Sequence, residues 1–287
     1  MSPTRTPEPA LRTGAGEPLL LLHPFMLSHH VWTDVAAELS DSYRIFAPTL
    51  PAHWGGPRMR ARDVSIKGLA DAVERMLDAE GWSTCHIAGN SLGGWISLEL
   101  ARRGRARTVT AIAPGGGWRQ WSLTELRTGA LFLALYPSSR IFAAAALRNE
   151  FVRRQFLGSV SRAPRKVSVE NAHHMIRASS HCSGHLPFIA SALRHGGIRG
   201  LDEITCPTQV VFCASDRVLP PRSHSRVFRD GLPEARFTTL PKAGHVPMLE
   251  APDLVAGTIR DFLAETAAGS GPAVPAQEGP PAVALDG

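Results

Sequence analysis

Three residues far apart in the chain carry the side chains of a nucleophile, an acid and a base: Ser91, Asp216 and His245. Ser91 lies in CHIAGNSLGGW, Cys85 to Trp95, where Gly89, Ser91 and Gly93 form the pattern G-x-S-x-G directly after an apolar run. A strand-to-helix turn this tight holds its serine at positive φ, and the residues two positions away must be nearly free of side chain. Such strain, about 1–3 kcal/mol, persists only where packing enforces it. A serine hydroxyl also needs a base, and the base needs an acid to orient it. CASDRVLP puts Asp216 just beyond one apolar strand candidate, and LPKAGHVPMLE puts His245 just beyond the next. The order Ser, Asp, His along the chain suits three residues projecting from strand ends on one sheet edge. The chemistry this permits is attack of Ser91 on an acyl carbon. His245 would carry the proton, Asp216 would hold the imidazolium, and the amide of Leu92 at a helix N-terminus would face the oxyanion.

Those strands can be read from the pattern. Pro18–His23, Arg44–Pro48, Thr84–Ala88, Val109–Ala113, Thr208–Ala214 and Arg236–Leu240 are short apolar runs with helical patterns between them, which implies an α/β fold with a mainly parallel sheet. Leu69, Val73 and Leu77 recur at helical spacing and mark a helix that stops at Gly81. Further helices are expected over Leu92–Arg103, Pro220–Asp230 and Asp253–Glu265. From Gly115 to about Gly200 strand signals vanish, and SLTE at Ser122–Glu125 is a capping-box pattern. An all-helical insertion there implies a lid over the sheet edge. Residues 1–17 read as a loose arm, and the Gly/Pro/Ala-rich residues 267–287 as a disordered tail.

The 287 residues are 44% hydrophobic, enough for a sizeable core, and no run is long enough to cross a membrane. The N-terminus has no hydrophobic segment of the secretory kind. Net charge is +6, and the densest basic run, Arg102–Arg107, follows a helix whose C-terminal dipole it complements, with Gly104 as its cap. No aromatic-interleaved basic motif points to nucleic acid. Cys85, Cys182, Cys206 and Cys213 form no CxxC pair, and a reduced, cytoplasmic protein is expected. The partner is a small-molecule substrate; the pattern leaves the oligomeric state open.

NAHHMIRASSHCSGH places His181 and His185 four residues apart, a spacing that could hold a metal. Ser183 and Gly184 weaken a helix there and no carboxylate completes the set, so these histidines read as polar lid residues and no metal is expected. Trp118, Trp121, Phe132 and Tyr136 at the start of the lid, together with Val246 beside the histidine, are candidates to line an apolar pocket between lid and sheet.

With its elbow, acid and base in this order, the sequence resembles an α/β-hydrolase of the serine-nucleophile type, over about Glu17–Gly117 and Gly200–Thr266. The resemblance implies a mostly parallel central sheet flanked by helices, with a core over 18–117 and 201–266. It also implies a helical cap over 118–200, inserted after the sixth strand. LLLLHPFML resembles the family's oxyanion strand, which implies the amide of Phe25 as a second donor beside Leu92 and His23 as a structural residue. Pro24 stands where glycine is usual, which puts the freedom of that loop in question but leaves the donor one position later. PTLPAHWGG, Pro48–Gly56, resembles the loop after the next strand. AIAPGGGW offers no carboxylate, so Asp216 is the acid. Glu250 is expected to bond a loop or face solvent. Relatives that act on haloalkanes or epoxides carry aspartate as nucleophile, which Ser91 disfavours. The implied activity is cofactor-free cleavage of a carboxylic ester or lactone of a small, largely apolar substrate through an acyl-enzyme. The alternatives are C–C hydrolysis of the meta-cleavage-product type, which GNSLGG resembles but Val246 does not, or ligand binding without catalysis.

Overall fold

Leu19–Leu22 are four consecutive leucines with almost no exposure, which a strand achieves only when both faces of its sheet are covered. In the computed structural model, which describes residues 8–118 and 143–269, they belong to β2 (Glu17–Leu22). The sheet adds β1 (Ala10–Thr13), β3 (Tyr43–Pro48), β4 (Cys85–Asn90), β5 (Ala106–Ile112), β6 (Thr208–Cys213) and β7 (Arg236–Leu240). Their spatial order is β1-β3-β2-β4-β5-β6-β7, parallel throughout except for β1 against β3. Helices α1 (Thr33–Leu39), α2 (Ile66–Ala79) and α3 (Leu92–Arg102) precede β5. Between β5 and β6 lie α4 (Glu150–Leu157), α5 (Val169–Ser180) and α6 (His185–His195), and α7 (Pro221–Gly231) and α8 (Pro252–Gly269) follow.

Alternation along the strands divides their side chains between two apolar layers. Leu20, Leu22, Ile87, Val109 and Ala111 pack with Leu69, Val73 and Leu77 of α2 and with Ile96 and Leu100 of α3. Leu19, Leu21, Ala88 and Ile112 face the other way, onto Val35 and Leu39 of α1 and Val255, Ile259 and Leu263 of α8. Each such leucine contributes about 1.5–3 kcal/mol on leaving water, so a register slip of one residue in β2 would exchange the two layers. Ser65 caps α2 by accepting from Gly68 N at 3.0 Å.

The arm implied by residues 1–17 needs correction: Ala10–Thr13 form β1, with Arg12 opposite Phe46, and Glu17 opens β2. Four residues on an exposed edge show too little alternation to be read. The ladder to β3 holds them, aided by Arg12, whose guanidinium lies 4.8 Å above the Phe46 ring and 2.6 Å from Glu80 Oε1. The tail begins later than composition implies, because residues 267–269 still belong to α8; residues 270–287 lie outside the described residues. The helical segment follows the fifth strand among the described residues, not a sixth, since no described strand precedes β1. Ser122–Glu125 lie outside the described residues. The basic run after α3 is taken up in ion pairs: Arg103 reaches Asp71 at 2.7 Å, Glu74 at 2.6 Å and Glu99 at 2.8 Å, and Arg105 reaches Asp78 at 2.6 Å. Among the described residues no helix is long and apolar enough to cross a membrane.

Candidate active site

Strand β4 ends at Asn90 and helix α3 begins at Leu92, so Ser91 alone turns the chain. It does so at φ 55° and ψ −111°, a conformation that costs an L-residue about 1–3 kcal/mol. Three backbone bonds hold it there. Ser91 N donates to Ile112 O, and Ser91 O accepts from Trp95 N and Gly115 N, each at 2.9 Å. The flanking glycines are steric necessities: a Cβ on Gly89 would stand 2.3 Å from Gly93 O, and one on Gly93 2.1 Å from Leu22 O. Strand and helix therefore close to backbone contact and the serine is left at the rim.

Asp216 follows β6 in a turn that its own side chain builds, Oδ1 accepting from Val218 N and Leu219 N at 2.8 Å each. Its other oxygen, Oδ2, accepts from His245 Nδ1 at 2.7 Å, with both side chains almost wholly buried. A carboxylate in that position makes Nδ1 the protonated nitrogen and leaves Nε2 with the lone pair, the tautomer a general base requires. Among the described residues no hydrogen bond joins Ser91 Oγ to His245. The two side chains instead line one small cavity, and such contacts are often open before substrate arrives.

The loop that carries His245 is held at three successive residues. Gly244 N donates to Glu250 Oε1. His245 O accepts from Asn90 Nδ2 at 3.0 Å, and Val246 N donates to Val160 O at 3.1 Å. Glu250 is buried, and its Oε2 also accepts from Ser161 Oγ and, at 2.7 Å, from Ala163 N. Of the two sequence-level options for Glu250, loop bonding is the one observed. Asn90 was not singled out by spacing; its signal was a polar side chain inside a buried strand end, directly before Ser91.

In the loop after β2, which carries Pro24, Met26 takes the left-handed conformation, at φ 64°. His23 is buried, donating from Nδ1 to Pro24 O at 2.8 Å and accepting from Leu50 N at Nε2, 2.9 Å away. Burial pushes its pKa well below the usual imidazole value and keeps it neutral. The Phe25 ring stacks on His185 with centroids 5.7 Å apart and planes at 7°. Leu92 N occupies the first turn of α3, where a helix supplies no acceptor of its own.

Two cavities meet at Ser91 and Phe25. The larger, about 590 Å³, runs past Trp95, Trp118, Phe188, Ile189 and Leu219 to a rim bearing Arg194 and Arg199. The smaller, about 50 Å³, is walled by Phe156, Val160, Met175, His245 and Val246. Trp118 and Val246 thus sit where the sequence expects pocket residues, one in each cavity. Trp121, Phe132 and Tyr136 lie outside the described residues. Trp95 is not among the pocket candidates of the sequence, though its place one turn after Ser91 is a signal for it, whereas Phe188 and Met175 depend on how the helical segment packs. His181 is the C-cap residue after α5 and His185 begins α6, where it stacks on Phe25, so the pair shares no helix face. Among the described residues no group of three potential ligands could hold a metal.

Comparison with known proteins gives the following. A model described as the alpha/beta hydrolase family matches residues 19–258. The chain is 44% identical over 201 residues to a Mycobacterium tuberculosis protein named epoxide hydrolase EphH, covering 69% of this chain and 94% of that one. It is 27% identical over 267 residues to a pimeloyl-[acyl-carrier protein] methyl ester esterase of Aromatoleum aromaticum, covering 85% and 97%. A solved thermophilic esterase from Thermogutta terrifontis superposes with a TM-score of 0.70 at 23% identity, over 89% of this chain and 92% of that one; the likeness is one of fold.

Proposed function

The chain belongs to the alpha/beta hydrolase family, and from that premise we propose that it is a serine hydrolase cleaving a carboxylic ester or lactone of a small, largely apolar substrate. The substrate carbonyl sits over Ser91 with its oxygen toward the amides of Leu92 and Phe25. His245 Nε2 takes the Ser91 proton as Oγ bonds to the acyl carbon, and the charge that develops on the imidazole is held by Asp216. Collapse of the tetrahedral species expels the alkoxide, which takes the proton from His245. Water then repeats the sequence on the acyl-enzyme. No step calls for a cofactor or a metal. The observation that carries the reading is the buried 2.7 Å Asp216–His245 bond beside a serine held at φ 55° in the same cavity. Such groups lower a barrier because their positions are set before substrate binds.

The relative named an epoxide hydrolase favours a second reading, ring opening of an epoxide. Attack of Ser91 on an epoxide carbon would form an ether, which offers water no carbonyl carbon, so that cycle would halt after one turnover. Ring opening here would instead need a water activated by His245, with Ser91 a spectator. Ser91→Ala separates the two. Under the ester reading it abolishes both acid release from esters and labelling by a fluorophosphonate; ester turnover at the wild-type rate would end that reading. Epoxide opening that survives Ser91→Ala would establish the second. The working compartment in this proposal is the cytoplasm, in keeping with four cysteines all present as free thiols.

A further inference from the structure

We propose that the two cavities divide the ester unequally, the acyl body entering the large one and the departing alcohol the small one. The chain is then a hydrolase for esters of bulky apolar acids with small alcohols, methyl to propyl. The inference rests on the acyl-enzyme reading above.

It follows from where the histidine stands. Ser91 and Phe25 line both cavities, so a carbonyl over Ser91 has one substituent directed into each. His245 and Val246 line only the small one, whereas Leu92 and Trp95 line only the large one. The leaving oxygen must receive its proton from His245 Nε2 at hydrogen-bond distance, about 2.6–3.2 Å. That oxygen and its alkyl group therefore lie on the His245 side. The reverse placement would direct a bulky alkoxy group past Leu92 and carry its oxygen away from the proton it needs.

Size then sets the specificity. A water-sized group needs at least about 10–15 Å³, so the small cavity, at about 50 Å³, holds at most about three to five such groups and fewer when they are carbon-sized. Its walls are Phe156 of α4, Val160 of the following turn, Met175 of α5 and Val246, and Val160 is tied to Val246 through the backbone. The large cavity has about 590 Å³ between the rings of Trp95, Trp118 and Phe188, enough for a medium-length acyl chain. In the reaction Oγ bonds to the acyl carbon and the bond from that carbon to the alkoxy oxygen breaks. The Ser91 proton passes through Nε2 to that oxygen, and the small alcohol departs. Water, deprotonated by His245, then displaces Oγ and frees the carboxylic acid. Ester and water are consumed, acid and alcohol formed.

The test uses two isomers, methyl octanoate and heptyl acetate, which have the same atoms but exchange the bulky side. Acid release should give methyl octanoate a kcat/KM about tenfold or more above heptyl acetate. Equal values, or preference for heptyl acetate, would overturn the assignment while leaving the esterase reading intact. Cleavage of neither, with no fluorophosphonate labelling of Ser91, is failure of the esterase reading itself; cleavage of neither despite labelling removes both. Phe156→Ala widens the small cavity, and Met175→Ala does so from another element should the first variant fold poorly. Either should lower the preference for methyl over butyl octanoate about tenfold, and an unchanged ratio in both variants counts against the proposal.

Discussion

Ser91→Gly and Ser91→Ala both remove the hydroxyl, but only glycine frees the backbone from the conformation at φ 55°, ψ −111°. Relief of that strain stabilises the glycine variant by about 1–3 kcal/mol. Against it stands the greater freedom of glycine in the unfolded chain, about 0.4–1 kcal/mol. The Ser91 side chain lines two cavities, so losing Cβ removes little packing. The balance favours glycine over alanine by about 0.5–2 kcal/mol, or about 1–8 °C in melting temperature for a domain of this size. Calorimetry of the two variants beside the wild type, at one scan rate and protein concentration, reads this difference. Fluorophosphonate labelling should be absent from both. An alanine variant that melts at or above the glycine variant would show that the turn carries no strain worth relieving, and the account of how the three backbone bonds hold Ser91 would fail with it.

Asp216→Asn should keep the turn, because an amide oxygen still accepts from Val218 N and Leu219 N. Its NH₂ would face His245 and force the wrong tautomer, so ester turnover should fall about 10⁴-fold; a loss below tenfold would speak against Asp216 as the acid. Glu250→Gln replaces a charged acceptor of three bonds with an amide that must turn a donor toward Gly244 N or Ala163 N. A cost of about 2–4 kcal/mol is expected, read as a melting point lower by about 4 °C or more with slower labelling of Ser91. An unchanged melting point together with unchanged labelling would remove Glu250 from the support of His245. Burial lowers the pKa of His29 and His53 from 6.5 to about 4. Below pH 6.5 the unfolded chain takes up protons that these folded imidazoles refuse. Stability present above pH 6.5 should therefore be lost toward pH 4, by about 1.4 kcal/mol per pH unit for each. Urea midpoints at pH 7, 6 and 5 measure the slope, and His53→Gln should flatten it by about one proton; the same slope in both proteins would refute the burial argument.

Leu19–Leu22 and the Leu69, Val73 and Leu77 spacing were legible because each depends on neighbours within a strand or a turn; Gly89 and Gly93 were legible as a pattern around Ser91, although the backbone that Gly93 must clear is that of Leu22. β1 was not, since an edge strand of four residues is held by its ladder to β3 and by Arg12 reaching Phe46 and Glu80. The order of Ser91, Asp216 and His245 suggested a reaction, yet the Asp216–His245 bond joins two loops and depends on β6 and β7 lying side by side.

By itself the chain's sequence determined which groups could react and the turn that exposes one of them, because both are set by local sterics and residue type. Only the folded arrangement decided that Asn90 and Glu250 pin the His245 loop, that Met26 takes a left-handed conformation after Pro24, and that a large and a small cavity meet at Ser91. The Asn90–His245 bond, the Glu250 bonds to Ser161 and Ala163, and the meeting of the cavities bring together segments remote in the chain, fixed by packing that no local pattern encodes.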